Sequence, residues 1–529
     1  APSFTHVLST NSVWNLGFYY RRDAYNYYPS GDPLADLGPI QTTTIGQNRS
    51  LANAGLHTDF TYQKGRNDIK VGGVYEQTFL HENDLFGIVD PAFLDSLSDD
   101  NGNPCMSGGN PDVPVDSPCT DLYPYDLTGG GTHYDFRGHT DIKELALYAE
   151  DRITLGNWLF NVGLRGDLYN GLSDKSQAEP RLAGSYNLKR TNTVLRASYA
   201  RTLETPFNEN LILSSRGCLN AVVNPLLGCQ GGDTGALTPG LRNEYHAGIQ
   251  QVFGPHFVIS GEYIWKYTDK GYDFSVFGNT PITFPIEWEK SKIPGWALRA
   301  NVTPVHGFSA YVVMSSVAAR FFPPQVGGAG ATVGQPGLPF RIDHDERLNE
   351  TTHFQYQLPW KHMPWYSFNW RYDSGLVAGA VPCYDVTDPN SLCGGTSTTL
   401  NGQPAIDLSG LDADEEFEAG LMCNGVSATP FTPLPTPCPA NELTSKLVKI
   451  PAPGTEDDDR NPPRIQPRSL FDMAVGEDNI FHGDRYQWGA QITAINVANN
   501  YALYNFLSTF SGTHYVTPRA ITGRITFSF

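Results

Sequence analysis

Residues 157–169 read NWLFNVGLRGDLY. Trp158, Phe160, Val162, Leu164 and Leu168 share one parity, and Asn161, Arg165 and Asp167 the other. Successive side chains of a β-strand point to opposite faces, so the stretch predicts a strand with one apolar and one polar side. Arg165 and Asp167 need water on their side, which makes the polar face a hydrated lumen. The same scheme returns in HFVISGEYIWKYT (256–268). There Phe257, Ile259, Gly261, Tyr263, Trp265 and Tyr267 alternate with Ser260, Glu262, Lys266 and Thr268. It returns again in SVWNLGFYYRR (12–22), NDIKVGGVYEQTF (67–79) and RYQWGAQITA (485–494). By the alternation rule about 17 such segments follow one another, most of them about ten residues or more, enough to cross a bilayer at the usual tilt.

The connections alternate in length. Short turns are expected near 10–12, 64–67, 155–157, 188–192, 254–256, 304–307, 359–365 and 481–484. Long loops are expected near 22–41, 83–135, 169–177, 205–240, 267–283, 317–345, 375–467 and 499–518. Short turns on one side and long loops on the other are the asymmetry of outer-membrane barrels. The expected fold is therefore all-β: an antiparallel up-and-down transmembrane barrel with 16–17 strands present. The chain closes on ITGRITFSF (521–529), with Ile521, Gly523, Ile525, Phe527 and Phe529 alternating with polar residues. A free terminal edge strand is an aggregation liability that barrel closure removes.

Composition agrees. The 529 residues carry a formal charge of -19, 12% aromatic residues and 53 Gly, with no apolar run of membrane-helix length. The acidic balance offers no basic stripe to neutralise phosphates, which argues against nucleic acid as a partner. All eight cysteines fall in long connections: Cys105, Cys119, Cys218, Cys229, Cys383, Cys393, Cys423 and Cys438. Close spacing points to the pairs 105–119, 218–229, 383–393 and 423–438 as staples on loops without a core of their own, although the last four admit exchange of partners. No CxxC pair or Cys/His cluster has zinc spacing, and no cofactor is expected.

Seventeen is odd, whereas single-chain bacterial barrels are even-stranded. If SFTHVLST (3–10) is the first strand, the first and last strands run parallel, so strands are expected upstream. Without it the count is sixteen, and a complete passive porin is the alternative.

ELALYAEDRITLGNWLFNVGLRGDLYNG, QAEPRLAGSYNLKRTNTVLRASYARTLETPFNENL, WYSFNWRYDSGLVAG and the closing NVANNYALYNFLSTFSGTHYVTPRAITGRITFSF together resemble the barrel of TonB-dependent outer-membrane receptors. The likeness is nearest to the Oar-like branch that carries a carboxypeptidase-regulatory-like domain. It implies a 22-strand barrel filled by an N-terminal plug, with residues 1–529 as its C-terminal portion. It also implies outer-membrane lipid, the barrel-assembly machinery, an extracellular ligand and, through a plug that is not in this chain, TonB-ExbB-ExbD as partners. The implied function is energised uptake of a siderophore, cobalamin, saccharide or peptide in a Gram-negative outer membrane. The terminal strand ending at Phe529 is implied as its assembly signal. An Oar-like surface adhesion or structural role is a further alternative.

Other chemistry is sparse. TEDDDR (Glu456–Asp459) and DADEEFE (Asp412–Glu418) are dense in oxygens, but neither has EF-hand spacing, and a solvated charged loop is the plainer reading. SDDNGNP near Asp99 lacks the distal Glu. His344, Asp345 and His353 invite an acid/base reading but have no nucleophile partner, and there is no G-x-S-x-G elbow, P-loop or dinucleotide fingerprint. No enzyme is expected. The N-x-[ST] matches at Asn48, Asn301 and Asn349 fall in strands and read as chance. Trp158, Trp265, Trp360, Trp365 and Tyr366 are expected in the interfacial aromatic girdle, and ligand contact is expected from the long loops.

Overall fold

The computed structural model describes residues 1–529 except 30, 33–41, 100, 107–108, 111, 114–116, 230–234, 279, 331–336, 361–363, 380, 385–392, 394 and 509–511. Residues 30 and 33–41 of the 22–41 loop and 361–363 of the 359–365 turn thus lie outside the described residues. Seventeen strands follow one another in a single sheet. They are β1 (Ser3–Ser9), β2 (Ser12–Tyr27), β3 (Thr43–Lys64), β4 (Asn67–Ile88), β5 (Tyr134–Leu155), β6 (Trp158–Asn170), β7 (Asp174–Leu188), β8 (Thr193–Glu204) and β9 (Gly240–Phe253). Then come β10 (Phe257–Val276), β11 (Thr283–Val305), β12 (Phe308–Val317), β13 (Glu346–Gln357), β14 (Trp365–Asp373), β15 (Arg468–Glu477), β16 (Gln487–Ile495) and β17 (Ala520–Ser528). Each pairs antiparallel with the next. Two short strands, Arg320–Val326 and Phe340–Arg341, continue from the upper part of β11 and bring the sheet to 19 strands.

SFTHVLST does form a strand, so the sixteen-strand arrangement is not the one adopted. Among the described pairings β1 bonds only to β2 and β17 only to β16. Every residue of β1 and nearly every residue of β17 is exposed. Alternating direction over an odd number of strands leaves these two free edges pointing the same way.

The alternation read from the sequence becomes two faces. Phe18, Leu56, Val71, Tyr75, Leu147, Val162, Leu164, Leu168, Leu182, Leu195, Ile249, Leu298, Val475 and Ile492 are exposed large hydrophobics on the outer face. Rings border this band. Trp158, Phe253, Phe308 and Trp488 lie near the short turns, while Tyr20, Tyr245, Tyr263 and Trp296 lie higher. An apolar belt of this extent, far beyond the patches of soluble monomers, fits acyl chains rather than water. Trp365 departs from the expectation. It stands on the opposite face from the exposed Val475, covering Gly476, and its indole donates to Asp478 Oδ1 at 2.9 Å.

Two expected long loops are short. The β6–β7 connection is residues 171–173, and the β10–β11 connection is 277–282, because Tyr267–Val276 continues as strand paired with Thr283–Lys292. The alternation there becomes mixed in polarity, which disguised the strand as loop.

The remaining loops at that end are not coreless. Among the described residues five short α-helices form in them: α1 (Pro91–Asp95), α2 (Pro118–Leu122), α3 (Leu211–Arg216), α4 (Val223–Leu226) and α5 (Ala413–Glu418). One apolar core joins Ile45, Leu80, Phe86 and Ile142 of β3–β5 to Leu94, Leu122, Leu211–Leu213, Val223, Phe277 and Phe284. A second lies within 376–465 and reaches Leu503 and Phe506. Fully burying a Leu, Ile or Phe contributes about 1.5–3 kcal/mol, so these cores hold the loops by more than their disulfides alone.

Candidate functional site

The inner face of the sheet is a ladder of charge. Arg165 forks onto Asp167 at 2.7 Å, and Arg181 reaches Glu179 at 3.2 Å. Arg242 meets Glu204 at 2.6 Å, and His246 sits between Glu244 and Glu262. Arg371 meets Asp472 at 3.1 Å, and Arg468 meets Asp373 at 2.8 Å. Every second residue of a strand must face this side, so the sequence alternation alone supplies the ladder. Such a wall suits polar solute or a polar protein segment, and the apolar face does not. A recess of about 980 Å³ is flanked by Val71, Leu147, Leu164 and Leu168 of the apolar belt, with Asp59, Tyr148 and Asp167 also in its lining.

On the inner wall near the long-loop end is a cavity of about 440 Å³, lined by Arg371, Arg468, Asn496, Tyr504, His514 and Tyr515 among others. Arg468 is fixed by the carbonyls of Leu503 and Tyr504 at 2.8 and 3.2 Å, and lies 5.0 Å over the Tyr504 ring. Tyr501 stacks on Tyr515 at 5.0 Å. Guanidinium, amide and aromatic groups around a concave space of this size are the makings of a small-ligand site.

A third arrangement closes part of the same end. Glu82 and Asp84 stand on β4 above Phe79, the last exposed apolar residue of that strand, and are 2% and 0% exposed. Glu82 accepts the backbone N–H groups of Ile212 and Leu213 at 3.0 and 2.8 Å. Gln47 donates to Asp84 at 2.6 Å and to Asn210 at 2.8 Å, and Asn210 donates to the Thr283 carbonyl at 2.7 Å. Burial, with the neighbouring Asp84 charge, pushes the Glu82 carboxyl up to about 8. Burial likewise pushes Asp84 to about 7. Glu287 on β11 accepts Thr238 N at 2.8 Å and pairs with Lys270 Nζ at 2.8 Å.

The motifs singled out in the sequence have structural employments. Asp459 of TEDDDR is held by Arg320 Nε at 2.6 Å and Arg341 Nε at 3.0 Å. Asp412 of DADEEFE caps α5 in a capping box with Glu415. Asp99 accepts Asn101 N and Asn103 N at 2.9 and 2.8 Å in a tight loop. Asp345 is buried against Arg464 and also accepts Ala319 N at 2.7 Å. His344 pairs with Asp343, which accepts the Ser508 hydroxyl at 2.6 Å. The carboxylate thus stands between serine and imidazole, the wrong order for a nucleophile relay. His353 lies elsewhere, on Asn369 at 2.6 Å. Among the described residues no group of three or more His, Cys, Asp and Glu is arranged to hold a metal ion. The cysteines join as Cys105–Cys119, Cys218–Cys229, Cys383–Cys393 and Cys423–Cys438. Glu82, Asp84, Asn210 and Glu287 carry no sequence signal, since each is one polar residue in an ordinary strand or loop.

Residues 2–245 match the family model of the TonB dependent receptor-like β-barrel. Over these residues, just under half of the chain, the sequence is similar to that family. The fold extends the likeness to full length. The ferric citrate transporter FecA in its unliganded form is 13% identical, with a TM-score of 0.53, 99% of this chain and 60% of that chain covered. The copper transporter OprC is 9% identical, with a TM-score of 0.55, 100% and 65% covered. The ferripyoverdine receptor of the outer membrane of Pseudomonas aeruginosa, bound to ferripyoverdine, is 11% identical, with a TM-score of 0.52, 99% and 55% covered. At these identities the fold is what is shared. The chain therefore spans about three fifths of the length of these transporters. No curated protein sequence matches it.

Proposed function

We propose that this chain forms the barrel portion of an outer-membrane receptor for TonB-energised uptake of a scarce ligand, with its short turns periplasmic and its long loops outside. The observation that carries the reading is the family match over residues 2–245 in a sheet whose inner face is charged and whose outer face is an apolar belt. The mouth cavity with Arg371, Arg468, Tyr504 and Tyr515 is where the ligand first binds. A siderophore, cobalamin, saccharide or peptide is the class to test. TonB-ExbB-ExbD acts through a plug outside residues 1–529, outer-membrane lipid covers the belt, and β17 with Phe529 is read by the barrel-assembly machinery. An odd number of further strands, about five by the family's size, closes the gap between β1 and β17.

The test is accumulation of labelled ligands of these four classes by cells with and without the intact gene, each with and without a protonophore. Protonophore-sensitive, gene-dependent uptake supports the reading. Gene-dependent but protonophore-insensitive entry would replace it with a passive channel. The folded core within 376–465 also favours an adhesive surface role, which predicts gene-dependent cell attachment with no uptake of any of the four.

A further inference from the structure

We propose that residues Asn210–Cys229 form a built-in strap across the interior at the long-loop end, and that the Glu82 carboxyl group is the latch by which it opens and closes. The segment touches two walls that the sheet order keeps apart. Asn210 bonds to Gln47 on β3 at 2.8 Å and to the Thr283 carbonyl at the start of β11 at 2.7 Å. Ile212 packs onto Gly138 of β5, while the Ser214 hydroxyl donates to the Pro285 carbonyl of β11. β4 and β11 are seven steps apart in the pairing order, so they meet only across the space that the curled sheet encloses. Phe86 of β4 and Phe277 after β10 make the same crossing directly, with ring centroids 5.8 Å apart.

Two features set this segment apart within the core that it joins. Cys218–Cys229 and the Asn224-to-Cys218 carbonyl bond at 2.6 Å close the segment on itself, so it holds its shape when it leaves the wall. Its attachment to β4 converges on one side chain, beside the Asn210 and Ser214 bonds and the apolar packing that it shares with the core. The buried N–H groups of Ile212 and Leu213 both end on Glu82, and a buried N–H without its acceptor costs about 1–3 kcal/mol. Losing one side chain therefore releases two backbone groups at once. The function is to keep solute from the inner wall until the segment detaches, and it rests on the reading of the interior as the passage.

The experiment is hydrogen exchange by mass spectrometry on the complete protein, with Glu82→Ala and Glu82→Gln beside the natural chain. In Glu82→Ala, peptides covering 211–216 are expected to exchange at least tenfold faster, with β6 and 421–445 unchanged. Glu82→Gln keeps the packing and one acceptor and is expected to fall between, and it answers the question if the alanine variant does not assemble. Unchanged exchange at 211–216 in both variants overturns the proposal. So does equal acceleration throughout β3–β5, which would make Glu82 a support of the whole core. Protonophore-insensitive entry would overturn energised uptake while leaving this exchange result intact, so the two failures are distinguishable.

Discussion

Glu82 sets a pH dependence. It faces Asp84 on its own strand, Arg49 on β3 and the strap amides, and Asp135 of β5 faces Asp84 in turn. Its carboxyl ordinarily titrates near 4.5 and is raised to about 8 in the closed arrangement. The closed form therefore holds the proton more tightly than an opened, solvated one. Its stability is fully present below about 4.5 and falls as pH rises from there to about 8. Exchange at 211–216, corrected for the intrinsic pH effect, is expected to quicken over that interval, and Glu82→Gln is expected to remove the Glu82 share of the slope. Asp345 makes a sharper case. Asp345→Ala leaves Arg464, 5% exposed, buried without its carboxylate, and such one-sided removals cost about 3–5 kcal/mol. Protease cleavage within 376–465 should accelerate accordingly. Replacing both partners with apolar residues of similar volume should recover most of that loss.

Among elements, the 374–467 connection owes its order to a core, two disulfides and small hairpins rather than to the barrel wall. Cys423 and Cys438 are 15 residues apart, and closing a loop of that size stabilises by about 3 kcal/mol. The Cys423→Ser, Cys438→Ser pair is expected to lower the unfolding temperature of this cap while leaving the strand signal in circular dichroism unchanged. β17 presents Ile521, Ile525 and Phe527 at 72%, 76% and 47% exposure, with Phe529 at 94%. Deleting Phe529 is expected to reduce the yield of membrane-inserted protein several-fold, read by immunoblot of outer-membrane fractions. An effect confined to soluble degradation products would argue against its assembly role.

At the scale of residues 1–529 taken together, the two outer edges of the sheet decide behaviour. β1 and β17 each present an unpaired ladder, and exposed hydrophobic edges recruit other chains. Residues 1–529 produced alone are expected to aggregate or to run on gels without the heat-modifiable shift of a closed barrel. Appending an odd number of matching strands is expected to restore that shift, and an even number is not, because only an odd count lets every neighbour pair antiparallel.

The sequence by itself determined the strands, the two faces and the neighbouring cysteine spacing, because period-two alternation and short separations are local properties that a chain carries wherever it folds. NWLFNVGLRGDLY was legible as β6 for this reason. It misread 267–283 as loop, where the alternation mixes polarity but the hydrogen-bond ladder continues. It also placed Trp365 in the girdle, since an aromatic at a strand end looks alike from either face. Only the tertiary structure decided that Glu82 would meet Ile212, 130 residues away, or that Phe86 would touch Phe277. Those contacts arise when the curled sheet brings separate walls together, and no spacing along the chain encodes how tightly a sheet will curl.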